Sequence, residues 1–140
     1  MTVSRLLLQL LVLLGVLLVH YGEAATYQSF AKSHIDHPKT RANNPNAYCN
    51  QMMRRRGLTR RRCKPSNTFI NAPRNSIIAV CGSGGTRYQR NLYDSRSSFP
   101  VTHCTNTGRF PNCNYNGRTM NRRVRLACVR RKPVHFERLL

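Results

Sequence analysis

The chain has 140 residues, 24 Lys+Arg against 4 Asp+Glu, a formal net charge of +20 and a pI near 11.3. That length fits one domain rather than two, and a charge of this size argues against an acidic small-molecule pocket and for a polyanionic partner: nucleic acid, a heparin-like glycan or an anionic membrane. Apolar residues at 40% and 11 aromatics without Trp exclude a disordered basic tail, but self-repulsion in so small a domain calls for some further restraint on the fold.

The N-terminus reads as a secretory leader. Arg5 precedes the apolar run Leu6 to Val19, and Gly22 and Ala24 are small residues at the −3 and −1 positions of a cleavage site before Ala25. The run is about 14 residues, short of the roughly 20 that span a bilayer. The chain therefore divides into a signal peptide, residues 1–24, and a secreted domain, residues 25–140. Cleavage would remove Arg5 and Glu23, one charge of each sign, so the mature domain keeps the full +20.

In chain order, Tyr27, Phe30 and Ala31 at i, i+3, i+4 spacing predict a short helix over Ala25–Ser33, ended before Pro38. A polar linker, Lys39–Asn46, leads to a second helix over about Asn46–Arg55, with Ala47, Met52 and Met53 on its apolar side and Gly57 closing it. A third is predicted around Pro73–Val80. The strand-like segments are Cys63–Ile70, Arg87–Asp94, Phe99–Thr105, Thr119–Val129 and Pro133–Leu139, bounded by Gly, Pro and Asn clusters. Asn116-Gly117 predicts a hairpin turn. The class is α+β, with three short helices and an antiparallel sheet. No N-x-S/T acceptor is present.

Export favours disulfides for Cys49, Cys63, Cys81, Cys104, Cys113 and Cys128, whose spacings contain no CxxC or Cys/His zinc pattern. Three bridges at about 2–4 kcal/mol each would supply the missing restraint. Fifteen pairings are open.

Among the histidines of the mature chain, His34 ends the first helix and His135 lies in the strand-like Pro133-Val134-His135-Phe136-Glu137, with a carboxylate two residues away. Lys64 follows a half-cystine. Two imidazoles and an ammonium, with no Ser or Cys nucleophile, carboxylate pair or metal cluster, suit acid–base chemistry at a phosphate. His37 and His103 are expected to be solvent-facing.

Cys63-Lys64-Pro65-Ser66-Asn67-Thr68-Phe69 resembles the CK-x-x-NTF signature of the pancreatic-type ribonuclease superfamily, and Pro133-Val134-His135-Phe136 resembles its PVHF segment. Phe30-Ala31-Lys32-Ser33-His34 is similar to the family's first catalytic helix, so the resemblance covers essentially the whole mature chain. Met53-Arg54-Arg55-Arg56-Gly57-Leu58-Thr59 and the count of six cysteines are similar to the angiogenin branch in particular.

The resemblance implies a bent antiparallel sheet and the pairing Cys49–Cys104, Cys63–Cys113 and Cys81–Cys128. It implies a monomeric, metal-independent endoribonuclease without a cofactor, cleaving single-stranded RNA on the 3′ side of pyrimidines. His34 would be the general base, His135 the general acid, and Lys64 the cation stabilising charge on phosphorus. Thr68, Phe136 and Asn67 would contact the substrate, and Glu137 would orient His135. Ser33 stands where the family has a glutamine, and Arg138 where angiogenins have a residue partly blocking the pyrimidine pocket. A tail folded over that pocket would imply low activity, an open one turnover of the digestive kind.

Arg54, Arg55 and Arg56 are expected either as a solvated basic face or as a nuclear or nucleolar targeting patch. Arg122, Arg123, Arg125, Arg130, Arg131 and Lys132 are expected to form a second basic surface. A rival class is a cationic protein acting on bacterial membranes, a cell-surface receptor or heparin-like glycans independently of RNA cleavage.

Overall fold

The computed structural model describes residues 4–11 and 25–140. Residues 4–11 form an exposed helical stretch, added to the three helices expected of the mature domain, while the expected cleavage residues Gly22 and Ala24 lie outside the described residues.

Helix α1, Tyr27–His34, starts with a reciprocal cap: the Ser29 N–H donates to the Thr26 hydroxyl and the Thr26 N–H to the Ser29 hydroxyl, both at 3.1 Å. It buries Phe30 and Ala31 and stops at Ile35, an extended residue bridged to Ile70. The last helical residue, His34, is thereby delivered to the first strand. Helix α2, Pro45–Arg55, is capped by Asn44 and buries Tyr48, Cys49, Met52 and Met53; Gly57, at φ +74°, follows it in the left-handed region that glycine adopts most cheaply. Helix α3 is shorter than predicted, Arg74–Ile78, and tightens into a 3₁₀ turn at Ala79–Cys81.

Seven strands follow: β1 Ser66–Ile70, β2 Gly85–Gln89, β3 Leu92–Ser95, β4 Phe99–Asn106, β5 Tyr115–Arg122, β6 Val124–Val129 and β7 Lys132–Leu139. They form two antiparallel sheets, ordered β1-β4-β5 and β2-β3-β6-β7. The predicted Arg87–Asp94 strand is two strands, reversed at Arg90 with φ 49°. The predicted Thr119–Val129 strand is divided at Arg123, where the chain passes from the first sheet to the second.

The hairpin expected at Asn116-Gly117 does not form. Both residues lie within β5, opposite Thr105 and Cys104. A Cβ on Gly117 would stand 2.2 Å from the Pro45 carbonyl oxygen and 2.9 Å from the Cys49 sulfur. The glycine marks the close approach of α2 to the sheet, and its N–H donates to Asn46 Oδ1 at 2.8 Å. The reversal from β4 to β5 instead occupies residues 107–114.

Two buried clusters flank β1, which is why its burial does not alternate. Phe69 packs with Tyr48, Met52, Met53 and Tyr115 under α2, and Ile70 packs with Phe30, Ile77, Val101 and Leu126. The three disulfides are Cys49–Cys104, Cys63–Cys113 and Cys81–Cys128, with Cα separations of 5.6, 5.4 and 5.8 Å. The first ties α2 to β4, and the third ties the 3₁₀ turn to β6.

Candidate active site

His34, Lys64, Thr68, His103, His135 and Phe136 line one cleft of about 450 Å³. They come from the end of α1, the approach to β1, β1 itself, β4 and β7, so the five sequence-predicted groups, all but His103, are gathered by the tertiary fold.

His34 is mostly buried, and its Nδ1–H donates to the Thr68 carbonyl at 2.8 Å. That bond fixes the tautomer and leaves Nε2 with the free lone pair of a base. Burial pushes the pKa down from 6.5 to about 4; the carbonyl bond opposes the shift, while the charges of Lys64 and His135 add to it. The imidazole is therefore neutral through physiological pH. Two near-neutral values would be expected of an acid–base pair, and the difference arises because α1 carries His34 into the interior beside two cationic groups. A phosphodiester anion in the cleft would offset those charges.

Lys64 Nζ donates to Asn67 Oδ1 at 2.8 Å, and Asn67 Nδ2 donates to the Ser33 carbonyl at 2.8 Å. Asn67 is 3% exposed. Both ends of its amide are engaged, so it couples the lysine to the residue before His34 instead of presenting a free polar group. The Tyr115 hydroxyl, donating at 2.7 Å to the Lys64 carbonyl, holds the main chain from below. Burial lowers the Lys64 pKa from its ordinary value, and nearby Arg62 adds to this.

Across the cleft, His135 lies exposed on β7 with its Nε2 3.2 Å from Glu137 Oε2. Phe136, the next residue, stacks on His34, with ring centroids 5.2 Å apart and planes inclined at 26°. Phe30 meets the same imidazole at 5.3 Å. β7 stays paired with β6 as far as Leu139, with register shifts that leave Val134 and Glu137 without a partner on β6. Arg138 and Leu139 form the end of the cleft wall rather than a turn over it.

Three expectations need correction. His103 is not solvent-facing: it lies in the cleft, with Nδ1 2.8 Å from the Thr68 hydroxyl, and burial lowers its pKa. Its sequence context gave no motif, but alternation along β4 from the buried Val101 puts it on the face of Thr68. Arg56 does not belong to an exposed patch with Arg54 and Arg55. Its guanidinium donates to the carbonyls of Ala31, Lys32 and Ile35 at 3.3, 2.6 and 2.9 Å, closing the C-terminus of α1, and reaches Asp36 at 3.4 Å. The second basic surface is reduced likewise: Arg125 pairs with Asp94 at 2.7 Å and lies over Tyr88, and Arg123 donates to the Ser95 carbonyl. His37 is exposed, as expected.

Residues 25–137 match the family model described as pancreatic ribonuclease. The chain belongs to the pancreatic ribonuclease family. A ribonuclease from Iguana iguana named as pancreatic is 51% identical over 116 residues, covering 81% of this chain and 98% of that relative. One from Chelydra serpentina is 46% identical, covering 80% and 96%. The crystal structure of green turtle egg white ribonuclease superposes with a TM-score of 0.79 at 46% identity, over 81% of this chain and 98% of the turtle chain. As a pancreatic-type ribonuclease the protein is a metal-independent endoribonuclease whose substrate is RNA. Such ribonucleases are generally secreted, and three disulfides fit an oxidising compartment.

Proposed function

We propose that the protein cleaves single-stranded RNA on the 3′ side of pyrimidines by transphosphorylation through a 2′,3′-cyclic phosphate. The observation that carries this reading is a neutral, tautomer-fixed His34 in the same cleft as a second imidazole and an ammonium. His34 Nε2 takes the proton of the ribose 2′-hydroxyl, and that oxygen attacks phosphorus. The bond to the 5′-oxygen breaks as protonated His135 delivers its proton to the leaving oxygen. Water then opens the cyclic phosphate with the two imidazoles in exchanged roles. Charge accumulating on the nonbridging oxygens is met by Lys64, held by Asn67 for that purpose. The need for a 2′-hydroxyl restricts the substrate to RNA.

Thr68 reads the base through its hydroxyl and main chain, Phe136 packs beside it, Asn67 acts through Lys64, and Glu137 steadies His135. The extension of β7 to Leu139 favours an open pocket and turnover of the digestive kind. Purified mature protein should cut tRNA and poly-cytidine at low salt, leaving cyclic-phosphate ends after pyrimidines. Equal cleavage after purines, or none by disulfide-verified protein, would overturn the reading. Cleavage of long RNA should weaken steeply with salt, because many cations release counterions from the backbone.

Residues 1–24 are assigned as the secretory leader, supported by a family match that begins at residue 25. A second reading rests on the exposed cations Arg54, Arg55, Arg60, Arg61 and Arg62: a polyanion-binding role of the angiogenin-like or bactericidal type, on heparin-like glycans, a receptor, an anionic bacterial membrane or the nuclear import machinery. Replacing His34 and His135 by Ala leaves the formal charge at +20. Heparin binding, bacterial killing or endothelial signalling that persists in that variant belongs to the basic face, whereas its loss assigns the effect to RNA cleavage.

A further inference from the structure

Thr68 and His103 are direct partners in the β1/β4 ladder, and their side chains meet at 2.8 Å inside the cleft. Thr68 is 3% exposed, so its hydroxyl has few alternative partners. We infer that protonation of His103, acting through the Thr68 hydroxyl, is a switch that turns the pyrimidine pocket toward cytosine. This inference rests on the proposed reading of Thr68 as the group that contacts the base.

The threonine hydroxyl offers one hydrogen and two lone pairs. A neutral imidazole can either accept at Nδ1 or donate from it, depending on tautomer. When it accepts, the Thr68 hydrogen is used on the ring and the oxygen is free to receive the N3–H of uracil. When it donates, the Thr68 hydrogen is free for a base acceptor such as cytosine N3. The neutral ring therefore serves both pyrimidines. An imidazolium can only donate, so it directs the Thr68 hydrogen outward permanently, matching cytosine and leaving that hydrogen without a partner against uracil.

The groups around His103 determine where the change occurs. Arg118 on β5 is its partner on the opposite edge. His135, Glu137 and Arg138 of β7, Lys64 before β1 and His34 of α1 line the same cleft. All but Glu137 are cationic or can become so. Burial lowers the His103 pKa, so the switch lies on the acid side of the ordinary imidazole value.

The test is kcat/KM for cytidylyl-adenosine and uridylyl-adenosine as a function of pH. Protonation of His34 and His135 enters both substrates alike and divides out of their ratio. For the wild type, the ratio of cytidine to uridine cleavage should rise at least about threefold between about pH 7.5 and about pH 5. In His103→Gln, whose amide donates or accepts without titrating, and in His103→Asn, it should stay level. Parallel profiles for the two substrates in the wild type would overturn the inference. Thr68→Val separates the two layers. A changed base ratio in Thr68→Val alongside a level wild-type ratio removes the switch alone, and a ratio unmoved by Thr68→Val removes the base-reading role as well.

Discussion

The two walls of the cleft are organised by different means. On the α1/β1 side, His34, Lys64 and Asn67 are bonded to main-chain carbonyls or to one another at 2.8 Å, within packed structure. On the β7 side, the His135 side chain is 57% exposed and its partner Glu137 is 42% exposed. In the proposed mechanism the fold thus fixes in advance His34 as base and Lys64 as the cation that meets developing charge, where misplacement costs most. His135, the proposed acid, stays on an edge strand, free to turn toward leaving groups and solvent.

The largest effect expected from this asymmetry is at His34. Replacement by Ala should lower kcat/KM on a dinucleotide by about 10²–10⁴-fold; Ala at His135 should cost activity in the same range while leaving thermal stability nearly unchanged, and a large fall in Tm there would contradict the exposed placement. Next is Asn67→Ala, which removes both amide bonds in a buried position. Unfolding experiments should register a loss of about 1–3 kcal/mol, and the kinetic loss should fall on kcat more than KM, since Lys64, proposed to meet transition-state charge, is released.

A pH effect on stability follows from the depressed His34 pKa. Between about pH 6.5 and pH 4 the unfolded chain binds a proton at this residue that the folded chain does not. The His34 contribution is therefore fully present above pH 6.5 and is lost as pH falls toward 4, on the order of 2–3 kcal/mol. Denaturant titrations should find a shallower acid decline in His34→Ala than in the wild type. The smallest expected effect is Glu137→Gln: an exposed pair of this kind is worth about 0.2–1 kcal/mol, so dinucleotide kinetics should change by only a few fold.

Legibility in the sequence followed the same division. Helical spacing placed α1, where Phe30 and Ala31 follow Tyr27 at i+3 and i+4 and are buried, and the apolar side of α2 carries the buried Met52 and Met53. Local chemistry singled out His34, Lys64 and His135, at a helix end, beside a half-cystine and two residues from a carboxylate, and the resemblance of the Cys63–Phe69 and Pro133–Phe136 segments supplied their expected roles. What sequence alone concealed was long-range. Gly117 has the composition of a turn but is required by the Pro45 carbonyl packed on it. β1 shows no alternation because both of its faces are covered. Arg56 is indistinguishable in sequence from Arg54 and Arg55 until α1 presents its three carbonyls. His103 gains significance only from the register that sets it opposite Thr68.

The asymmetry of the cleft is tested most directly by an NMR titration of the His34 ring in the free mature protein. An imidazole buried beside Lys64 and His135, with Nδ1 held by the Thr68 carbonyl, should titrate near pH 4. A midpoint at the ordinary imidazole value of 6.5 would mean that His34 is solvated like a surface histidine, and would contradict a base wall organised in advance by the fold.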